Sequence, residues 1–113
     1  MSYEELDVWK RSARLSATLY QQTKELRDYG FRDQLTRRGL SIPSNIAEGC
    51  ERESEREIAR FLSIAKGSAG ELRTQILIGI EAGYLDRAAA LQWADEAKQI
   101  GKMLAALIKR HRS

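Results

Sequence analysis

Residues 55–82 read EREIARFLSIAKGSAGELRTQILIGIEA. Ile58, Phe61, Leu62, Ala65, Ala69, Leu72, Ile76 and Ile80 recur in it at steps of one, three and four. That spacing keeps apolar side chains on one side of a rod with 3.6 residues per turn, so the stretch is an amphipathic helix with one buried face. Ser54 and Glu57 stand at its start as a capping box, and Gly83 follows its end. A serine hydroxyl satisfies an orphaned amide, and a glycine tolerates the left-handed turn that stops a helix.

The same pattern extends in both directions. Upstream, Leu6, Trp9, Ala13, Ser16 and Tyr20 form one stripe, and Val8, Leu15, Leu19 and Leu26 form a second. They predict a first helix over about 3–26, opened by a Ser2/Glu5 capping box and ended at Gly30. A second helix spans about 31–50 and contains Pro43, the only proline. The proline ring collides with the carbonyl four residues back, which belongs to Gly39, so the helix is expected to kink and continue. Ser41 and Ser44 offer hydroxyls to the groups left unpaired there. Downstream, Asp86 caps a fourth helix over about 86–110, carrying Leu91, Ala94, Ala97, Gly101, Leu104 and Ile108. No strand alternation and no Asn-Gly or Asp-Gly hairpin turn competes. Connections this short make successive helices antiparallel neighbours. The expectation is a single all-α domain over residues 1–113, an up-down-up-down four-helix bundle with rods roughly 30 to 42 Å long.

Composition narrows the classes of function. The 113 residues are 42% hydrophobic and 31% charged, a globular balance. No apolar run approaches the roughly 20 residues that a membrane span needs. The acidic start Met1-Ser2-Tyr3-Glu4-Glu5 lacks the apolar run of a secretory signal. Cys50 and His111 are the only cysteine and histidine. An internal disulfide is thereby excluded, a zinc site is disfavoured, and a reducing cytoplasm fits. No metal and no cofactor is expected.

Three sets of residues invite a role. Asn45, Glu48, Ser68 and Glu71 fall where the second and third helices face each other. They read as a buried polar network fixing helix register, with Arg37 or Arg38 balancing a carboxylate. The competing acid–base reading lacks a nucleophile, a metal triad or a phosphate loop to accompany it, so the protein is expected not to be an enzyme. Ala59, Ser63, Gly67 and Gly70 read as a small-residue stripe that admits close helix packing. The first helix presents an apolar face wider than one bundle requires. Val8, Trp9 and Leu15 are therefore the expected contact between subunits.

The net charge of +3 is unevenly placed, with six basic against three acidic residues over 85–113. Lys102, Lys109, Arg110 and Arg112, together with Arg37 and Arg38, are the candidate phosphate contacts. Cations also suit a helix C-terminus for structural reasons. No base-reading motif is present, so binding would be directed at the backbone, with little sequence preference.

Three runs carry a resemblance. They are Leu6-Asp7-Val8-Trp9, Ser41-Ile42-Pro43-Ser44-Asn45-Ile46-Ala47-Glu48-Gly49, and Arg60 through Leu72. In this order they resemble the bacterial four-helix-bundle family of proteins encoded in intervening sequences of 23S ribosomal RNA genes. The accessory variability protein of diversity-generating retroelements belongs to that group. The resemblance extends from Tyr3 to about Leu85 and rests most firmly on the Ser41–Gly49 run. It implies a homopentamer of bundles, basic surfaces that bind RNA or DNA and, in the retroelement members, a reverse transcriptase partner. The resulting expectation is an oligomeric, non-enzymatic accessory protein that binds nucleic acid. A scaffold that docks a partner enzyme is the alternative.

Overall fold

The computed structural model describes residues 2–112. A 3-10 turn, Tyr3–Glu5, precedes four helices: α1 (Asp7–Thr23), α2 (Tyr29–Cys50), α3 (Glu55–Glu81) and α4 (Arg87–Arg112). Each helix packs on the next, and α1 closes the ring against α4. Among the described residues, the backbones of the diagonal pairs α1–α3 and α2–α4 stay apart across the core. The result is the expected up-down-up-down bundle, 43 × 21 × 19 Å. Among the described residues, no helix is long and apolar enough to cross a membrane.

Side-chain oxygens begin three of the helices. Ser54 Oγ accepts from the Glu57 amide at 3.1 Å, and Asp86 Oδ2 accepts from the Ala89 amide at 3.1 Å. Asp28 Oδ1 accepts from the Phe31 amide at 3.0 Å, while Tyr84 donates its hydroxyl to Asp28 Oδ2 at 2.7 Å. The Phe31 amide and then the Tyr84 hydroxyl hold the Asp28 carboxyl below its usual range. One carboxylate thus caps α2 and ties it to the α3–α4 turn.

Two expected boundaries move. Gly30 does not end α1; it is the second residue of α2, because Asp28 takes the cap position. The left-handed glycine is Gly83 alone, at φ 77°, where α3 stops. The Ser2/Glu5 capping box does not form either. Leu6 is extended there, and Tyr3 folds back to bring its ring 5.2 Å from that of Trp9. α1 accordingly starts at Asp7.

α2 runs as one helix through the buried Pro43. Ser44 Oγ donates to the Leu40 carbonyl at 2.8 Å and Asn45 Nδ2 to the Ser41 carbonyl at 2.8 Å. Along α3, Leu62, Ala65, Ala69, Leu72 and Ile76 are buried, and Ile58 and Ile80 pack at the margin. Ala90, Ala94, Ala97, Ile100 and Leu104 answer them from α4.

The subunit contact read from the first helix is corrected in two of its three residues. Val8 and Leu15 are only 2% and 5% exposed, inside this chain's own core. α1 has to seal two neighbours at once. Val8 lies beside Met103 and Leu107 of α4, and Trp9, Ala13 and Tyr20 flank Leu40 and Pro43 of α2. The second apolar stripe is therefore the other flank of one core.

The small-residue stripe is corrected as well. A methyl group on Gly67 or Gly70 would meet nothing within 4 Å. Close approach occurs instead at Gly39 and Gly79. At Gly79 a Cβ would lie 2.7 Å from both Leu85 Cδ1 and Phe31 Cζ. Gly67→Ala is expected to stabilise the bundle by about 0.5–1 kcal/mol, since it removes a helix-interior glycine at no steric cost. Gly79→Ala is expected to destabilise it by about 1–3 kcal/mol through overpacking. Urea unfolding of the two variants checks both signs.

The α1–α4 seam is the thinnest, and an ion pair spans it. Arg11 Nη2 donates to Glu96 Oε1 at 2.6 Å and Arg11 Nε to Glu96 Oε2 at 2.9 Å. The Arg11 hydrogen bonds hold the Glu96 carboxyl below its ordinary range, against a smaller opposing effect of burial. A carboxyl lowered in the folded state adds stability above its unfolded value and loses it as pH falls through the folded one. Glu96→Gln should therefore cost about 1 kcal/mol near neutrality. The difference from the natural protein should shrink as pH falls through and below the ordinary carboxylate range. Thermal melts across that pH series measure it.

Candidate nucleic-acid interface

α3 and α4 are antiparallel, so the first three turns of α3 lie along the last two of α4. A groove of about 1020 Å³ opens between them, lined by Glu55, Arg56, Ala59, Arg60, Ser63, Ile64, Arg110, His111 and Arg112. It continues into a second stretch of about 800 Å³ that shares Ser63 and Arg112 and adds Lys66, Gly67, Ala105 and Lys109. Ala59, Ser63, Gly67 and Ala105 are small, and this keeps the channel open. The stripe that read as a packing surface is the floor of a groove.

Six cations border this floor: Arg56, Arg60 and Lys66 from α3, and Lys109, Arg110 and Arg112 from α4. Glu55 is the one carboxylate lining either stretch. His111 Nδ1 lies 2.6 Å from Glu55 Oε2 and joins the start of α3 to the end of α4. Arg112 Nη2 reaches Ser63 Oγ at 3.4 Å across the channel. The Arg52 and Arg60 guanidinium groups stand 4.8 and 5.3 Å from the Phe61 ring centroid. That aromatic ring is already engaged by cations.

The sequence-derived contacts divide. Lys109, Arg110 and Arg112 come together at the groove. Lys102 is exposed on α4 but does not line it. Arg37 and Arg38 lie on α2, diagonally across the bundle from α4. Arg38 Nη2 pairs with Glu71 Oε2 at 3.3 Å, and Arg37 is exposed. The missed residues are Arg56, Arg60 and Lys66. Charge counted along the chain hides them, because Glu51, Glu53, Glu55 and Glu57 fall in the same segment and cancel them. The antiparallel register of α3 on α4 is the signal that would have found them.

The expected polar network is real but smaller. Asn45 Nδ2 donates to Ser41 Oγ at 3.0 Å, and Ser41 Oγ and Ser68 Oγ share a hydrogen bond at 2.8 Å. Ser41 is thus the link between Asn45 and Ser68. Glu48 does not join; it pairs at the surface with Arg52, just past the end of α2. Glu71 is likewise at the surface, with Arg38. Neither carboxylate is placed in a buried site, so neither needs the desolvated partner expected for it. Cys50 is half-buried, and burial pushes its thiol up. A raised thiol is a poor nucleophile at neutral pH.

A separate apolar groove of about 470 Å³ runs between α1 and α2. Trp9, Ala13, Tyr20, Leu40 and Pro43 line it. Tyr20 and Leu40 are 46% and 47% exposed. Trp93 is half-buried against the core from α4.

Residues 4–106 match the family described as 23S rRNA-intervening sequence protein. The chain belongs to that family. Among solved structures, it is similar to a protein of unknown function from the S23 ribosomal protein family of Bacteroides thetaiotaomicron VPI-5482. The two superpose with a TM-score of 0.85 at 24% identity, covering 90% of this chain and 98% of the other. At that identity the likeness establishes the four-helix fold. Comparison with curated proteins finds no match. That neighbour shares the bundle that sets α3 against α4. The cationic groove is read from this chain's own residues.

Proposed function

We propose that this 23S rRNA-intervening sequence protein is a non-enzymatic accessory protein that binds the phosphate backbone of nucleic acid along the α3–α4 groove. The observation that supports this reading is the meeting of six cations from two helices over a floor of small side chains, with one carboxylate lining the groove and Glu57 paired with Arg60 beside it. Lysine and arginine at such a groove neutralise phosphates and release counterions. Phe61 is covered by guanidinium groups, so the groove itself offers no bare ring for stacking a base. Contact with the backbone then dominates, and sequence preference is weak.

The test is retardation of an RNA or DNA duplex across a salt series. Binding at about 50 mM salt should disappear by a few hundred millimolar. Replacing Arg56, Arg60 and Arg112 by Ala together should weaken it at least tenfold and flatten the salt slope by about 3. Arg37→Ala, on the far helix, should leave it unchanged. No retardation at low salt, or equal loss from Arg37→Ala, contradicts the proposal.

The same reading includes a homo-oligomer, the pentamer implied by the family resemblance. The α1–α2 groove supports it, because Tyr20 and Leu40 leave an apolar strip in water beside Trp9. Leu40→Glu is expected to shift the protein from an oligomer to a folded monomer in light scattering at micromolar concentration. A natural protein that scatters as a monomer removes this part of the proposal.

A further inference from the structure

The Glu55–His111 contact joins the start of α3 to the end of α4 inside the cationic groove. Glu55 is the only acid lining a groove of six cations, and its side chain is 67% exposed to the channel. His111 is the chain's only histidine, 22% exposed, and its Nδ1 lies 2.6 Å from Glu55 Oε2. An ionised carboxylate only accepts, so the imidazole donates from Nδ1 whichever charge it carries, and a neutral imidazole adds no charge of its own. The groove then keeps the full negative charge of Glu55. If Nε2 also takes a proton, the pair becomes neutral and the groove gains one positive charge. Imidazole is the side chain that changes charge between about pH 5 and 8.

We propose that Glu55 and His111 form a pH-responsive competitor for phosphate. At neutral to alkaline pH the Glu55 carboxylate partly occupies the groove's cationic field. In mild acid the protonated His111 neutralises it, and the phosphate backbone binds more tightly. This deepens the nucleic-acid reading above and rests on it. The groups that set the response surround the pair on every side. Glu55, Arg56 and Arg60 face it from α3, and Arg110 and Arg112 flank His111 on α4. Asp7, at the start of α1, lies in the adjoining groove beside Arg110.

The experiment is fluorescence anisotropy with an RNA duplex lacking terminal phosphates, at about 50 mM salt, near pH 6 and near pH 8. The natural protein should bind about threefold or more tighter at the lower pH, the worth of roughly one added phosphate contact. His111→Gln should bind equally at both. Glu55→Gln should bind at pH 8 about as tightly as the natural protein does at pH 6. Both positions lie at the groove surface, and circular dichroism confirms that each variant folds. Three results overturn the proposal while leaving the groove reading intact, provided that Arg56, Arg60 and Arg112 still matter. These are a pH-independent natural protein, a pH effect that survives in His111→Gln, and no gain from Glu55→Gln. No binding at either pH overturns both.

Discussion

The packing of α3 on α4 is the constraint from which the rest of the molecule follows. It is the most extensive pairing in the bundle, and its buried face is rich in alanine: Ala65 and Ala69 from one helix, Ala90, Ala94 and Ala97 from the other. Small side chains let two helix axes approach closely, and Leu72, Ile76, Ile100 and Leu104 fill the layers between. Burial of that face outweighs the repulsion created by bringing Arg56, Arg60 and Lys66 beside Lys109, Arg110 and Arg112. Cations at the last turn of α4 also complement its dipole, which offsets part of that repulsion. The charged groove is therefore a consequence of register in an apolar interface.

Much of this architecture was legible in the residues, for physical reasons that can be named. The α3 stripe from Ile58 to Ile80 fixes a helix because period alone decides which side is buried. Ser54 and Asp86 announced their helix starts correctly, since each has an amide three residues on that needs an oxygen. Gly83 announced a helix end, and it alone takes the left-handed backbone. Gly30 misled for the complementary reason. A glycine permits that backbone but does not require it, and Asp28 next door supplied the stronger signal. At the other end, the Tyr3–Trp9 ring contact outweighed a serine cap.

The site was less legible than the fold, because it depends on which faces meet. Counting charges by segment found Lys109, Arg110 and Arg112 and passed over the three α3 cations, which acids in the same segment cancel. The breadth of the α1 face had two explanations, and only the third dimension separates them: Val8 turns to α4, whereas Trp9 turns to α2. The polar network was placed on the right helices, but its hub is Ser41, and Glu48 and Glu71 lie outside it. Gly67 shows the same ambiguity, since a small residue in a helix serves either a neighbour's approach or an open channel.

Lysine footprinting tests the location of the interface most directly. The protein is treated with an amine-acylating reagent, with and without an RNA duplex at low salt, and each lysine is read by mass spectrometry. Lys66 and Lys109, on opposite walls of the groove, are predicted to be protected, with Lys10 and Lys24 of the α1 side left reactive. Uniform labelling with and without RNA, or protection centred on Lys10 and Lys24, would contradict the account.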